Sequence, residues 1–123
     1  MAQTFDLQSC ILGLHRDGSV SLLPPSSGPP RRIDGFTVGA PMMTQNAPHG
    51  GEMHPDADEI HYLISGRVDV VLEEEGGEST TEVCAGRALI VPKGVWHRVV
   101  LREPSHLLHI TPGPGGAWRP PRG

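Results

Sequence analysis

The chain has 123 residues, enough for one domain of ordinary size and too few for two independent cores. Its 16 Gly and 13 Pro are so placed that, after Leu12, the longest stretch free of both runs from Asp56 to Ser65. That is shorter than an ordinary helix of about 11–12 residues, which excludes helix bundles and helix-covered parallel sheets and predicts an all-β chain. A net charge of −4, with no basic cluster beyond Arg31 and Arg32, excludes nucleic acid and anionic membrane as partners and leaves a small molecule.

In chain order, the start Met1-Ala2-Gln3-Thr4-Phe5-Asp6 has neither the basic nor the apolar region of a leader, no run is long enough to span a bilayer, and a cytoplasmic location is expected. Cys10 and Cys84 have no short-spacing partners and read as free thiols. Cys10–Leu14 and Ser19–Leu23 flank His15-Arg16-Asp17-Gly18, whose Asp-Gly pair supplies a tight reversal, so residues 10–23 form a hairpin. Pro24-Pro25-Ser26-Ser27-Gly28-Pro29-Pro30 cannot donate to a ladder and reads as a surface loop. Phe36–Val38 and Met42–Gln45 read as short strands, with a loop at Asn46–Gly51.

From Glu59 the alternation is clear: Glu59, His61 and Leu63 fall on one face of a strand, Ile60, Tyr62 and Ile64 on the other. Arg67–Glu73 is the next strand, closed by the acidic tip Glu74-Glu75-Gly76-Gly77-Glu78, a solvated hairpin end. Thr80–Cys84, Ala88–Val91, Trp96–Leu101 and Leu107–Thr111 follow, separated by Gly86, Pro92-Lys93-Gly94 and Pro104. Nine or ten such strands, about one per turn signal, predict a sandwich or barrel. Pro112–Gly123 carries too much Pro and Gly to form an element and reads as a flexible tail anchored by Trp118.

Two segments combine turn residues with metal-capable side chains: Glu52-x-His54-x4-Glu59-x6-Gly66, and Gly86-x5-Pro92-x-Gly94-x2-His97. Glu52 and His54 are two apart in a strand and point the same way; Pro55–Asp58 is a short loop, after which Glu59 re-enters a strand, so these side chains can converge. His97 shares a face with Val99 and Leu101 and points inward with them. A buried His opposite a buried Glu needs a partner, and a cation satisfies both.

The two segments resemble the paired motifs of the cupin superfamily, small double-stranded β-helix (jelly-roll) barrels. The likeness spans roughly residues 50–101 and implies a single cupin domain over 1–123 with its barrel core at about 33–111. The second motif matches at Gly86, Pro92, Gly94 and His97; the first matches at His54, Glu59 and Gly66 but has Glu52-Met53-His54 where cupins commonly show His-x-His. The resemblance carries a metal-ligand role to His54, Glu59 and His97 and indicates the position of Glu52. It implies one divalent transition metal, Fe, Mn, Zn or Ni, and, cupins often being dimeric, a homodimer that covers the exposed edges of the first hairpin.

His61 lies two residues after Glu59 on the same face, where many cupins carry a hydrophobe. It reads as a substitute ligand, an outer donor or a proton-transfer group, against a core histidine bonded to backbone. His106 and His109 are three apart, so at most one faces inward; His109 is the pocket candidate. His15 and His49 lie in turns and are expected in solvent. Two functions remain open: a metal-dependent dioxygenase, isomerase or lyase acting on a small organic substrate, or a non-catalytic small-molecule binding or sensor protein, with or without metal.

Overall fold

Twelve strands and no helix occur among residues 1–24 and 31–121, the part of the chain that the computed structural model describes. β1 (Leu12–His15) and β2 (Val20–Leu22) form the expected hairpin, with Gly18 at φ 91° in its turn. The loop read after it falls on residues 25–30, outside the described residues. β3 (Gly35–Gly39) and β4 (Met42–Met43) follow. The strand expected to reach Gln45 stops at Met43, because β4 finds partners only in Ser105 and His106, and beyond it Asn46 Oδ1 accepts the Leu101 N–H at 2.8 Å instead.

β5 (Gly51–Met53) and β6 (Glu59–Ser65) carry the first motif; Gly66 then turns the chain into β7 (Arg67–Glu74). Gly66 sits at φ 93°, and a Cβ there would lie 2.6 Å from the Pro104 carbonyl oxygen, so the turn needs glycine for both reasons. β8 (Gly77–Cys84) pairs with β7 across an exposed tip, as its acidic composition predicts. β9 (Ala88–Val91), β10 (Trp96–Leu101) and β11 (Ser105–Gly113) complete the expected set. The last strand, β12 (Ala117–Arg119), corrects the reading of the tail as having no element: it pairs with β5. It is held there by the Gly115 N–H on Asp56 Oδ2 at 2.6 Å, and by Arg119, which stacks 3.9 Å over the Trp96 ring and meets Glu73 at 2.6 Å. These contacts are non-local and outweigh the poor strand composition.

One antiparallel sheet has the order β2-β1-β3-β11-β6-β9, with β4 also beside β11; the other has the order β12-β5-β10-β7-β8. Period-two alternation divides the space between them. β6 presents Glu59 and His61 and then Leu63; β10 presents His97 and then Val99 and Leu101; β11 presents Leu107 and then His109 and Thr111. One end of the barrel is therefore filled by Leu63, Val68, Val70, Leu72, Val83 and Val91, the other by imidazoles and carboxylates, with Leu107 at the border between them. Each buried Val or Leu contributes roughly 1.5–3 kcal/mol, so the apolar end can hold the fold while the polar end serves chemistry. No helix among the described residues is long and apolar enough to cross a membrane.

Candidate metal centre and pocket

The β10–β5 ladder sets His97 directly opposite Glu52, so both side chains leave the same face of the smaller sheet. His54 follows at the end of β5, and Glu59 and His61 project from β6 in the facing sheet. His54, Glu59, His61 and His97 are each no more than 5% exposed. Glu59 is the hub. Its Oε1 accepts His61 Nε2 at 2.9 Å and lies 3.0 Å from His97 Nε2; its Oε2 accepts the Thr111 hydroxyl at 2.5 Å and lies 3.6 Å from His54 Nε2. Glu52 Oε2 lies 3.3 Å from His54 Nε2, and its Oε1 lies 3.0 Å from His49 Nε2.

The electrostatics follow from this crowding. Burial would raise the Glu59 carboxyl, but the charge and hydrogen bond of His61, and then those of His97, hold it well below the usual carboxylate range. Burial opposes ionisation of Glu52 too, and His49, His54 and the Arg32 charge overcome it, so Glu52 is also a carboxylate. His97 is raised: burial would lower it, and Glu59 and Glu52 more than reverse that. His109, whose Nδ1 donates to Thr111 Oγ1 at 3.0 Å because the Thr111 proton is already given to Glu59, is pushed down to about 4 by burial, helped by the charges of Arg32 and His61.

Whether these residues suit a metal can be tested on their unsatisfied atoms. His54 Nδ1 and Nε2 and His61 Nδ1 are buried without a hydrogen-bond partner among the described residues, since the His54 contacts to Glu52 and Glu59 lack hydrogen-bond geometry. Buried polar atoms without partners are costly, and an ion is one way to satisfy them. Single ligand atoms of Glu52, His54 and His97 lie within 4.8 Å of one another, as do those of Glu59, His61 and His97. Ligands bound at about 2.0–2.2 Å to a common ion stand at most about 4.4 Å apart, so small side-chain adjustments close either group on an ion. The donor set, imidazole nitrogen with carboxylate oxygen, suits a divalent transition metal.

Beside this cluster opens a cavity of about 540 Å³ whose lining includes Glu52, Glu59, His61 and His97 and an apolar wall of Pro41, Met43, Val99 and Leu107. His109 lines it as expected, whereas His106 turns to the Ala40 carbonyl oxygen at 3.0 Å across a register shift between His106 and Leu107. His49 departs from the expectation of solvent: it is half-buried, lines the cavity and meets Glu52. His15 is likewise half-buried, 2.6 Å from Ser21 Oγ. Sequence reasoning missed Arg32 and the lining role of Trp118, and it set Thr111 beside Leu107 and His109 without giving it a role. Only Thr111 carried a signal, as a polar residue in step with Leu107 and His109 on an inward face.

A barrel of two antiparallel sheets with a His and Glu cluster at one end is the architecture of a cupin. The family model described as the cupin domain matches residues 43–111, more than half of the chain, and the chain belongs to that family. No curated protein sequence matches it. Solved structures do. A Bacillus subtilis oxalate decarboxylase structure, studied for its Mn(II) centers, superposes with a TM-score of 0.58 at 23% identity, covering 68% of this chain and 23% of that one. A cupin-2 domain containing protein from Shewanella frigidimarina NCIMB 400 superposes with a TM-score of 0.54 at 18% identity, covering 67% of this chain and 74% of that one. The present chain thus matches less than a quarter of the decarboxylase, and at these identities the likeness is one of fold.

Proposed function

We propose that the protein binds one divalent transition metal through Glu52, His54, Glu59 and His97 and a small organic ligand in the adjoining cavity. The observation that carries this reading is the buried His54 ring, both of whose nitrogens lack a hydrogen-bond partner while two carboxylates stand within 3.6 Å. Mn, Fe, Zn and Ni all suit such a donor set, and the Mn(II) centers of the decarboxylase, a protein of like fold, support the choice of class.

We favour an enzyme, a dioxygenase, isomerase or lyase. The metal when bound would supply Lewis-acid or oxygen-activating chemistry. The protein supplies orientation and a proton path. Thr111 donates to Glu59 and fixes its carboxylate, which in turn fixes the His61 and His97 rings. With its Nε2 proton directed to Glu59, His61 has Nδ1 left to accept a proton, so it is our candidate for acid–base work. The apolar wall offers contact to a carbon body and also supports the rival reading, a ligand-binding or sensor protein without turnover.

Two further features belong to this reading. Cys10 and Cys84 are free, which supports a reducing compartment, the cytoplasm. Ile60, Tyr62, Ile64 and Ile90 are exposed side by side on the outer face of the larger sheet, and Leu14, Val20 and Leu22 extend the exposed apolar set at its other end. A face of that kind supports a homodimer more strongly than the hairpin edge does.

Elemental analysis of protein purified without a histidine tag tests the metal: close to one ion per chain is expected, and no ion after incubation with Mn, Fe, Zn or Ni overturns the reading. Oxygen consumption with candidate substrates then separates an oxygenase from an isomerase or lyase.

A further inference from the structure

We propose that the cavity takes a small monocarboxylate, with its carboxylate on Arg32 and its carbon body against the apolar wall; this deepens the metal reading above and rests on it. Arg32 enters the cavity from the segment before β3, and its side chain is only 15% exposed. A guanidinium has five N–H donors in a rigid planar fork. Among the described residues Arg32 gives one to Thr37 Oγ1 at 2.8 Å, and Thr37 is itself fully buried, which fixes the direction of the fork. The nearest carboxylate oxygen, Glu52 Oε2, is 3.8 Å away, too far for a hydrogen bond.

The charges of the lining show what is lacking. Glu52 and Glu59 are its two carboxylates, and a divalent ion held by both leaves that set neutral. Arg98, the other lining guanidinium, is already paired with Glu78 at 2.8 Å. His54 and His97 would hold the ion as neutral imidazoles, and burial keeps His109 neutral. Arg32, 3.8 Å from the Glu52 carboxylate and without a hydrogen bond to it, is then the lining guanidinium whose fork holds no anion, in a largely buried place where an added anion is favoured. One negative charge is called for, and a carboxylate matches the fork with two parallel hydrogen bonds. Met43, Val99 and Leu107 offer the rest of the molecule only apolar contact, which suits a carbon body and disfavours a polyhydroxylated or doubly charged one.

The test is isothermal titration of the metal-loaded full chain with hexanoate and phenylacetate, and with the amides of the same acids, metal content being measured on every sample. The acids are expected to bind roughly ten- to a hundredfold more tightly than their amides. Arg32→Met should remove that preference and keep the metal; Arg32→Lys, with the charge but not the fork, should keep part of it. If Arg32→Met does not fold, Arg32→Gln, which can still donate to Thr37, carries the same comparison. Equal binding of acid and amide overturns the proposal, as does a preference that survives loss of the guanidinium, or no binding by any of the four to protein of measured metal content. A wild-type chain that takes up no metal overturns the metal reading and this inference with it, and the metal analysis distinguishes that outcome from the others.

Discussion

Glu52 and His97 face each other as direct cross-strand partners on β5 and β10, so the residue that departs from the common His-x-His pattern stands where it can share an ion with the second motif's histidine. Both belong to one ladder, and their spacing is set by backbone pairing rather than by flexible loops.

His54→Ala and His97→Ala are each expected to abolish stoichiometric metal binding while leaving a β-rich far-UV spectrum. The apolar cluster around Leu63, Val68 and Val70 lies outside the cavity lining and does not depend on the ion. Metal analysis and circular dichroism on the two variants check this; full metal content in both would remove these histidines from the site.

Glu52→Gln and His61→Leu distinguish two ligand sets. Glu52→Gln replaces an anionic donor with an amide of little affinity for a transition ion and should lose the metal. His61→Leu should leave metal nearly in place, an outer-shell change costing about 10- to 100-fold in affinity or activity, and any turnover should fall. If a side-by-side titration gives the reverse, the set is His54, Glu59, His61 and His97, the alternative that the second three-residue cluster supports.

Metal-free protein should lose stability as pH falls through the range between the ordinary histidine value and about 4. His109 is neutral in the folded chain down to about 4, facing Glu59, Arg32, His61 and Glu52, whereas the unfolded chain protonates it near 6.5. Protons therefore favour the unfolded state across that window, by at most about 3 kcal/mol. His97 acts in the opposite sense: being raised, its contribution is complete below the ordinary value and is lost as pH rises through its folded one. Urea titrations from pH 7 to 4.5 on the wild type and His109→Gln check the sign, since the variant should show a flatter loss; an identical slope would rule out His109 as its source.

Gly66→Ala should cost at least about 2 kcal/mol, the penalty of a left-handed backbone on a residue with a Cβ, because that Cβ also meets the Pro104 carbonyl. Gly76→Ala has positive φ but nothing within 4 Å and should cost less. Chemical denaturation of the pair measures the difference, and equal losses would show that the close approach at Gly66 carries no energy.

Ile90→Glu should give a monomer in sedimentation where the wild type gives a dimer, because it places a charge within the outer apolar face. A monomeric wild type at tens of micromolar would instead remove the dimer.

The all-β class, most strands and the cupin family were legible in the sequence because alternation and turn chemistry are local properties. After Leu12, Gly and Pro leave no room for an ordinary helix, and a period of two puts Glu59, His61 and Leu63 on one face wherever the strand goes. Pro92, Gly94 and His97 likewise announce an inward imidazole. Only the tertiary structure decided which distant segments meet that face. The pairing of β12 with β5, the move of His49 from solvent to Glu52 and the approach of Arg32 to the cavity all depend on sheet order and on contacts between parts of the chain far apart in sequence. No local pattern encodes them, because the energy that brings a Pro-rich tail or a lone arginine into place comes from the partners it finds once the barrel has formed.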